Sequence, residues 1–523
     1  MDDLTVDRLL RERAALGGKP AVIDPDTRID YAGLDTATAE LAARLVTAGV
    51  NKGTRVGLIM PNGVHWVRFA LALTRIGAVL VPLSTLLAPR ELVAQLRTAS
   101  VQALICVAEF RGHRYRDELA AALGLATTTG PLACPALPAL RRVWDPADLP
   151  GPRPQAADLV TALGAALTPA DPLAIMFTSG SSGPPKGVWH SHGGALGAVA
   201  AGLAARCVDA DTRLYLPLPF FWVGGFGAGV LTALLAGATL VTEPVPRPEH
   251  TLELLQRERV TLFRGWPDQA EALARHRDRL GADLPALRPG SLEALLPPRL
   301  RGRPGARAKL FGMTEAFGPY CGYRADADLP RPAWGSCGKP FPGMQVRIVD
   351  PDTGDPVGPG VIGEIQIRGP HVMLGICRRA REEVFTPDGY YPTGDLGHLD
   401  ADGFLFHHGR ADDMFKVSGA TVYPAEVAGA LREIDGVEAA YVTDVPDGAH
   451  RRVGAAVVGR GLDIARLRTE ARRRLSAFKV PAVWLLLDSD DAVPRRATGK
   501  VDVSRLRELL ISADSRETPA ARR

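Results

Sequence analysis

Residues 173–187 read LAIMFTSGSSGPPKG, an apolar run that passes directly into a Ser/Gly-rich segment ending in a lysine and a glycine. Leu173 to Phe177 are five apolar residues in a row, the signature of a strand buried on both faces. They run without a break into Thr178, Ser179, Gly180, Ser181, Ser182, Gly183, Pro184, Pro185, Lys186 and Gly187. Glycines let successive backbone N–H groups converge on an anion, hydroxyls add donors, and Lys186 adds a mobile point charge. The combination suits a polyphosphate. It is not a Walker loop, because only two residues separate Gly183 from Lys186 and Gly187 follows the lysine. A Ser/Gly turn with a purely structural role is the competing reading.

The surroundings repeat the strand pattern. Short apolar runs at 55–60, 78–81 and 103–106 alternate with helical periodicity up to about residue 410. Strands alternating with helices predict a mainly parallel sheet flanked by helices. Two stretches break the rhythm. Leu119 to Leu167 reads as a surface excursion with a linker, and Leu284 to Lys309, crowded with Pro and Arg, as a solvated loop. After Gly409 comes a compact strand/helix mixture of about 110 residues, long enough for its own core. The expected organisation is α/β: a large N-terminal domain over 1–410 and a small α+β domain over 411–523, with a tail disordered from about Ser512.

With 523 residues, 46% hydrophobic and 23% charged, the chain can bury a core without disulfide or metal staples. A net charge of +4 leaves no footprint for nucleic acid or an anionic membrane. Arginines number 54 and lysines only eight, so lysines inside Gly- or Asp-rich segments stand out. Six scattered cysteines with no Cys-x-x-Cys pair fit a reducing cytoplasm better than a disulfide framework or zinc site. The N-terminus lacks the layout of a signal peptide. Val223 to Val241 is uncharged but holds five glycines, and reads as a buried helix followed by a buried strand, not as a membrane span.

Four further segments carry chemistry. Phe311-Gly312-Met313-Thr314-Glu315 offers an aromatic to stack on a base, then a hydroxyl and a carboxylate that can hold a phosphate and its Mg²⁺. Tyr391-Pro392-Thr393-Gly394-Asp395-Leu396-Gly397 places a carboxylate in a turn, where it can accept both ribose hydroxyl protons or simply cap the turn. Gly409 to Gly419, GRADDMFKVSG, falls where the composition changes, and Pro494 to Lys500, PRRATGK, puts a lysine on a glycine-containing turn. Taken in order, the five segments resemble the adenylate-forming superfamily: acyl-CoA synthetases, firefly luciferase and the adenylation domains of peptide synthetases. The likeness covers nearly the whole chain.

The resemblance implies a two-step reaction in which a carboxylate attacks the α-phosphate of ATP, pyrophosphate leaves, and the thiol of CoA then displaces AMP. It implies that Thr178, Ser179, Gly180, Ser181, Ser182, Gly183 and Lys186 hold the β/γ-phosphates, and Thr314 the α-phosphate. Glu315 would bind Mg²⁺, Phe311 would flank the adenine, Asp395 would take the ribose hydroxyls and Arg410 would reinforce the nucleotide from the domain border. Lys500 would lie between the substrate carboxylate and the α-phosphate. The small domain becomes a mobile lid with Asp412 as its hinge, or else Asp412 is an ordinary cap. The lid would present Lys416 and Gly419 for the thiol step.

The acid pocket is expected from Phe220, Phe221, Trp222 and Gly225, from the segment after Gly290, and from Gly312 onward, although any one of these aromatics could be plain core. Amino-acid-activating relatives place an Asp early in the first segment, and here no acid lies between Asp211 and Glu243. The expected substrate is a carboxylic acid without an α- or β-amino group and with an apolar or aromatic body. Residues 290–311 look shortened against the family pattern, which unsettles the adenine contacts of Gly290, Ser291 and Leu292. His190 and His192 lack a third ligand nearby, and His192 matches a family position, so no zinc is expected. Competing functions are delivery to a carrier-protein thiol or an amine, oxidation of the adenylate as in luciferase, and a nucleotide-binding homologue without turnover. Expected partners are the acid and CoA, or an acyl carrier protein; a homodimer is compatible, and nucleic acid is not expected.

Overall fold

The computed structural model describes residues 4–178, 185–411, 415–417, 420–447, 450–475, 479–495 and 501–517. Contacts divide the chain into two compact units, Met1–Val346 with Ile367–Tyr391, and Arg347–Gln366 with Pro392–Arg523. Position 410, the boundary expected from the sequence, lies inside the second unit.

In the first unit the strand Pro172–Phe177 sits in a seven-stranded sheet. Its order is Gly375–Ile376, Gly187–Ser191, Pro172–Phe177, Val79–Pro82, Arg55–Ile59, Ala103–Cys106 and Arg142–Trp144. The five strands from Pro172–Phe177 onward are parallel, and the first two join antiparallel. Leu173, Ala174, Ile175 and Met176 expose no surface, as an unbroken apolar run demands of a strand covered on both faces. A second sheet orders Leu262–Phe263, Arg213–Tyr215, Thr239–Val241, Pro20–Ile23 and Arg28–Asp30, parallel except at the last pair.

The stretch from Val223 folds as the helix-then-strand expected of it. Helical segments run from Val223 to Ala236, including a wider π turn at Phe226–Leu231, and end at Gly237 with φ +71 before the strand Thr239–Val241. Among the described residues no helix is long and apolar enough to cross a membrane.

Three expectations need correction. Residues 119–167 are not an excursion: Arg142–Trp144 is the edge strand of the large sheet, anchored by buried Leu137, Leu140 and Val143, and Ala156–Ala165 is a helix. Residues 284–309 are not a solvated loop either. Leu287, Leu295 and Leu296 are buried beside Phe263 and Leu273, while the arginines turn outward or find acceptors such as Asp328 for Arg307. The C-terminal helix runs from Val503 to Glu517, so regular structure continues past Ser512, where the tail was expected to begin.

The second unit is α+β. It holds most of a four-stranded sheet ordered Gln345–Val349, Gly363–Arg368, Tyr391–Leu399, Leu405–Arg410, and a three-stranded sheet of Ala439–Asp447, His450–Val458 and Val483–Leu487. The helices Pro424–Arg432 and Ile464–Arg474 contribute Val427, Leu431, Leu467 and Ala471 to a core with Val457 and Trp484.

Candidate active site

Strand Pro172–Phe177 and strand Gly187–Ser191 form an antiparallel hairpin, with the Ser/Gly loop as its connection. Thr178 closes the neck twice. Its N–H donates to the Lys186 carbonyl at 3.0 Å, and its hydroxyl oxygen accepts from the Lys186 N–H at 3.3 Å. Lys186 itself is exposed. Ser179, Gly180, Ser181, Ser182 and Gly183 lie outside the described residues, as do Asp412, Gly419 and Lys500.

Phe311–Met313 pairs antiparallel with Gly318–Gly322, and Thr314–Ala316 make the tight turn between them. Phe317 closes that turn from the left-handed region, φ +52, donating its N–H to the Thr314 carbonyl at 3.0 Å. Gly312 is exposed, yet a Cβ there would meet the Gly318 carbonyl oxygen at 2.0 Å. Glu315 is buried; Tyr391 donates its hydroxyl to Glu315 Oε1 at 3.2 Å, and the Glu315 carbonyl accepts from Met373 N at 2.8 Å. Phe311 is half-buried, edge-on to Tyr320 at 5.5 Å.

His190 couples the two hairpins. It lies on the strand Gly187–Ser191, is 1% exposed, and donates a ring N–H to the Thr314 carbonyl. Its Nε2 is buried without a partner. The ring meets Phe317 edge-on at 4.9 Å. Sequence reasoning noticed His190 only as a rejected zinc signal. The alternation of Val188 and His190 against Trp189 and Ser191 would have placed it on the buried face. His192 is tied elsewhere: its Nδ1 accepts from Val6 N at 3.2 Å and so fastens the N-terminal helix to the start of the helix His192–Arg206.

Burial pushes the His190 pKa down from 6.5 to about 3, against a small upward pull from the Thr314 carbonyl. Burial likewise takes His192 to about 4. Both folded values lie below the unfolded one, so this stability is complete above about pH 6.5 and is lost as the pH falls toward the folded values. Between them the unfolded chain binds two protons that the fold refuses, which removes up to about 2.7 kcal/mol per pH unit. Urea unfolding followed from neutral pH down to about pH 5 should show this loss, and His190→Phe should remove about half of the slope that these two histidines contribute. A slope untouched by the substitution would mean that His190 titrates freely.

The segment expected to line the acid pocket divides in two. Phe220 has no exposed surface and packs edge-on against Trp66 at 5.2 Å; it is core. Phe221 is 9% exposed, Trp222 is half-buried, and the two rings meet edge-on at 5.3 Å. Gly225 is obligatory, since a Cβ would lie 2.0 Å from the Pro219 carbonyl oxygen. Asn62, which sequence reasoning missed, braces the segment: its side-chain amide donates to the Leu218 carbonyl and accepts from Phe220 N, both at 2.9 Å. Trp66 also meets Phe226 at 5.6 Å, and Phe226 meets Phe317 at 6.1 Å, which links this segment to the Thr314–Glu315 turn. Ser291 is buried and accepts from Phe263 N at 3.1 Å, while Leu292 N donates to the Phe263 carbonyl at 3.0 Å, so this stretch is fixed along a strand.

In the second unit, Asp395 and Arg410 are direct partners across the strands Tyr391–Leu399 and Leu405–Arg410. Arg410 Nη1 lies 3.6 Å from Asp395 Oδ1, and the same nitrogen donates to the Thr393 carbonyl at 2.8 Å. His407 Nε2 lies 3.5 Å from Asp395 Oδ1. Gly394, at φ +71, leaves space for the guanidinium, which a Cβ would meet at 2.7 Å. Lys416 belongs to the strand Phe415–Val417, paired with Ala420–Val422.

A profile of the AMP-binding enzyme family matches residues 10–377. The 3-[(3aS,4S,7aS)-7a-methyl-1,5-dioxo-octahydro-1H-inden-4-yl]propanoyl:CoA ligase of Mycobacterium tuberculosis is 34% identical over 528 positions, covering 96% of this chain and 98% of its own. The indoleacetate–CoA ligase of Aromatoleum aromaticum is 32% identical, with 94% and 95% covered. Among solved structures, ATP-bound MatB from Rhodopseudomonas palustris is similar with a TM-score of 0.75 at 25% identity, covering 97% of this chain and 99% of that one. Motif order, hairpin geometry and full-length likeness agree: the chain belongs to the AMP-binding enzyme family and is an AMP-forming acid–CoA ligase that uses ATP, Mg²⁺ and CoA.

Proposed function

We propose that the acid activated is a non-amino carboxylic acid with an apolar or aromatic body. One observation carries this: the segment holding Phe221 and Trp222 has no acidic residue between Asp211 and Glu243, and Glu243 is already engaged by the hydroxyls of Tyr215 and Thr251. A substrate ammonium would be buried there without a partner, which is costly. Relatives named for indoleacetate and 3-hydroxybenzoate act on acids of the same kind, an aromatic body without an ammonium group.

In this reading the loop from Thr178 to Lys186 holds the β/γ-phosphates, and Thr314, held by His190, meets the α-phosphate. Among the described residues no cluster of three ligating side chains exists. The Glu315 carboxylate suits Mg²⁺, which would take its remaining ligands from phosphate oxygens and water. Phe311 flanks the adenine, Asp395 takes the ribose hydroxyls and Arg410 reinforces the nucleotide. Residues 411–523 act as a lid turning at Asp412, which delivers Lys500 for adenylation and then Lys416 and Gly419 for the thiol step. Six free cysteines fit a reducing cytoplasm, and a homodimer is compatible with this reading.

A library of carboxylic acids, screened for ATP/pyrophosphate exchange and then for thioester with CoA, tests the reading. Exchange confined to amino acids, or acyl transfer to a carrier protein and never to CoA, would overturn it. Asp412→Pro should keep exchange within about twofold and slow thioester formation by about 10²-fold, as expected where a hinge gates only the second step. Unchanged thioester yield would remove the hinge.

A further inference from the structure

The first unit buries arginine in two ways. Arg75, 2% exposed, is forked between Asp7 at 3.0 Å and Asp35 at 3.1 Å, with the Thr38 hydroxyl at 2.8 Å, so its charge and donors are matched. Arg206, the last residue of helix His192–Arg206, is 5% exposed and has no such match. Its Nη1 donates to one carbonyl, Val199 O, at 3.3 Å, and among the described residues no carboxylate pairs with it. A second buried cation stands beside it. Arg264 donates Nη2 to the Arg206 carbonyl at 2.8 Å, and its Nε is buried with no partner. Asp326, the acid whose charge reaches Arg264, is held by Arg324 through two bonds at 3.0 and 2.6 Å. Burial first, then repulsion from Arg264, pushes the Arg206 pKa down to about 10, which leaves it charged at neutral pH.

The position of Arg206 gives that charge a use. Its guanidinium lies against Gly202, where a Cβ would stand 2.0 Å from Nη1. Its Nη2 is 3.8 Å from the place a Cβ would take on Gly318, and Val223 Cγ1 is 3.6 Å from that same point. Gly318 pairs with Met313 and its carbonyl abuts Gly312, whereas Val223 follows Trp222 directly. Arg206 therefore stands at Gly318, on the same side as Val223, beside two of the three segments expected to line the acid site, 219–225 and 312 onward.

We propose that the acid carries a second carboxylate, remote from the one that is adenylated, and that Arg206 receives it with Arg264 behind. The inference rests on the reading that those two segments line the acid site. A ligand carboxylate offers the paired acceptor oxygens that a guanidinium fork lacks here, and it compensates a buried charge that the fold leaves unmatched. The substrate class narrows to an apolar or aromatic body with an acid group at each end.

The test is ATP/pyrophosphate exchange by the full chain with matched pairs of acids. Aliphatic and aryl dicarboxylic acids are set against the same acids with the far carboxylate replaced by an isopropyl group of similar shape. The wild-type protein should favour the dicarboxylic member by at least about 100-fold in kcat/KM, because a site built to bond a polar group rejects an analogue lacking it. Arg206→Met should reverse that order, and Arg206→Lys should restore part of it. Equal or better turnover of the isopropyl acids by the wild-type protein overturns the inference and leaves the ligase reading standing, and this readout does not depend on any variant folding. An Arg206→Met protein that keeps the dicarboxylic preference also overturns it. Exchange with no acid of either kind would overturn the ligase reading and the inference together.

Discussion

Replacing Lys500 by alanine is expected to lower acid-dependent pyrophosphate exchange by about 10²- to 10³-fold or more, while thioester formation from supplied acyl-adenylate continues. Adenylation brings two anions together, and negative charge builds on the oxygens between them as the carboxylate closes on the α-phosphate. A cation fixed in a site closed to water acts most strongly on that developing charge, and costs no reorganisation at the moment of reaction. The thiol step involves no second approach of carboxylate to phosphate, so the same lysine has little to stabilise there. A lysine that merely sits in solvent predicts no change in either half-reaction. Single-turnover assays of the two steps separate these cases, and equal loss of both would show that Lys500 supports the fold or the whole site instead of adenylation. In a chain with 54 arginines, one of eight lysines following directly on Thr498 and Gly499 is a specific choice of a compact, point-like charge.

What the sequence disclosed follows from how local each signal is. Leu173 to Phe177 read as a buried strand because every residue is apolar, and burial on both faces needs nothing more. The helix and strand from Val223 to Val241 were legible for the same reason. Arg142–Trp144 was not, because it shows one buried side chain, Val143, between two half-exposed ones, and pairs with Ala103–Cys106, about forty residues earlier. The leucines at 287, 295 and 296 were hidden by intervening Pro and Arg that break any period. Site residues divide likewise. Asp395 and Arg410 each sit in a recognisable motif, but only an antiparallel ladder makes them partners. The hold of His190 on Thr314 depends on a hairpin more than a hundred residues away, and Arg206 alone looks like the basic residue that ordinarily closes a helix.

The second large effect is expected from a methyl group. Gly312 is exposed and has no positive φ, so neither burial nor backbone conformation marks it as irreplaceable. A Cβ at that position would nevertheless lie 2.0 Å from the Gly318 carbonyl oxygen and 2.3 Å from the Pro319 Cα, both backbone atoms of the paired strand. Real Cβ atoms do not approach backbone so closely, so Gly312→Ala must push Phe311–Met313 away from Gly318–Gly322. The turn between them carries Thr314 and Glu315, and its closure by Phe317 at φ +52 leaves little slack. A displacement of about 1 Å at a positioned catalytic group is worth about 10²-fold, so exchange should fall by at least that much. Overpacking of this kind should also cost about 1–3 kcal/mol, visible as a lower thermal midpoint. Gly18→Ala is the control, because nothing lies within 4 Å of its would-be Cβ and its φ is not positive. It should leave both stability, within about 0.5 kcal/mol, and exchange unchanged. Wild-type exchange from Gly312→Ala would mean that the hairpin can open without moving Thr314 and Glu315, the groups proposed to meet the α-phosphate and Mg²⁺, and the turn would then lose its proposed place at the centre of the site.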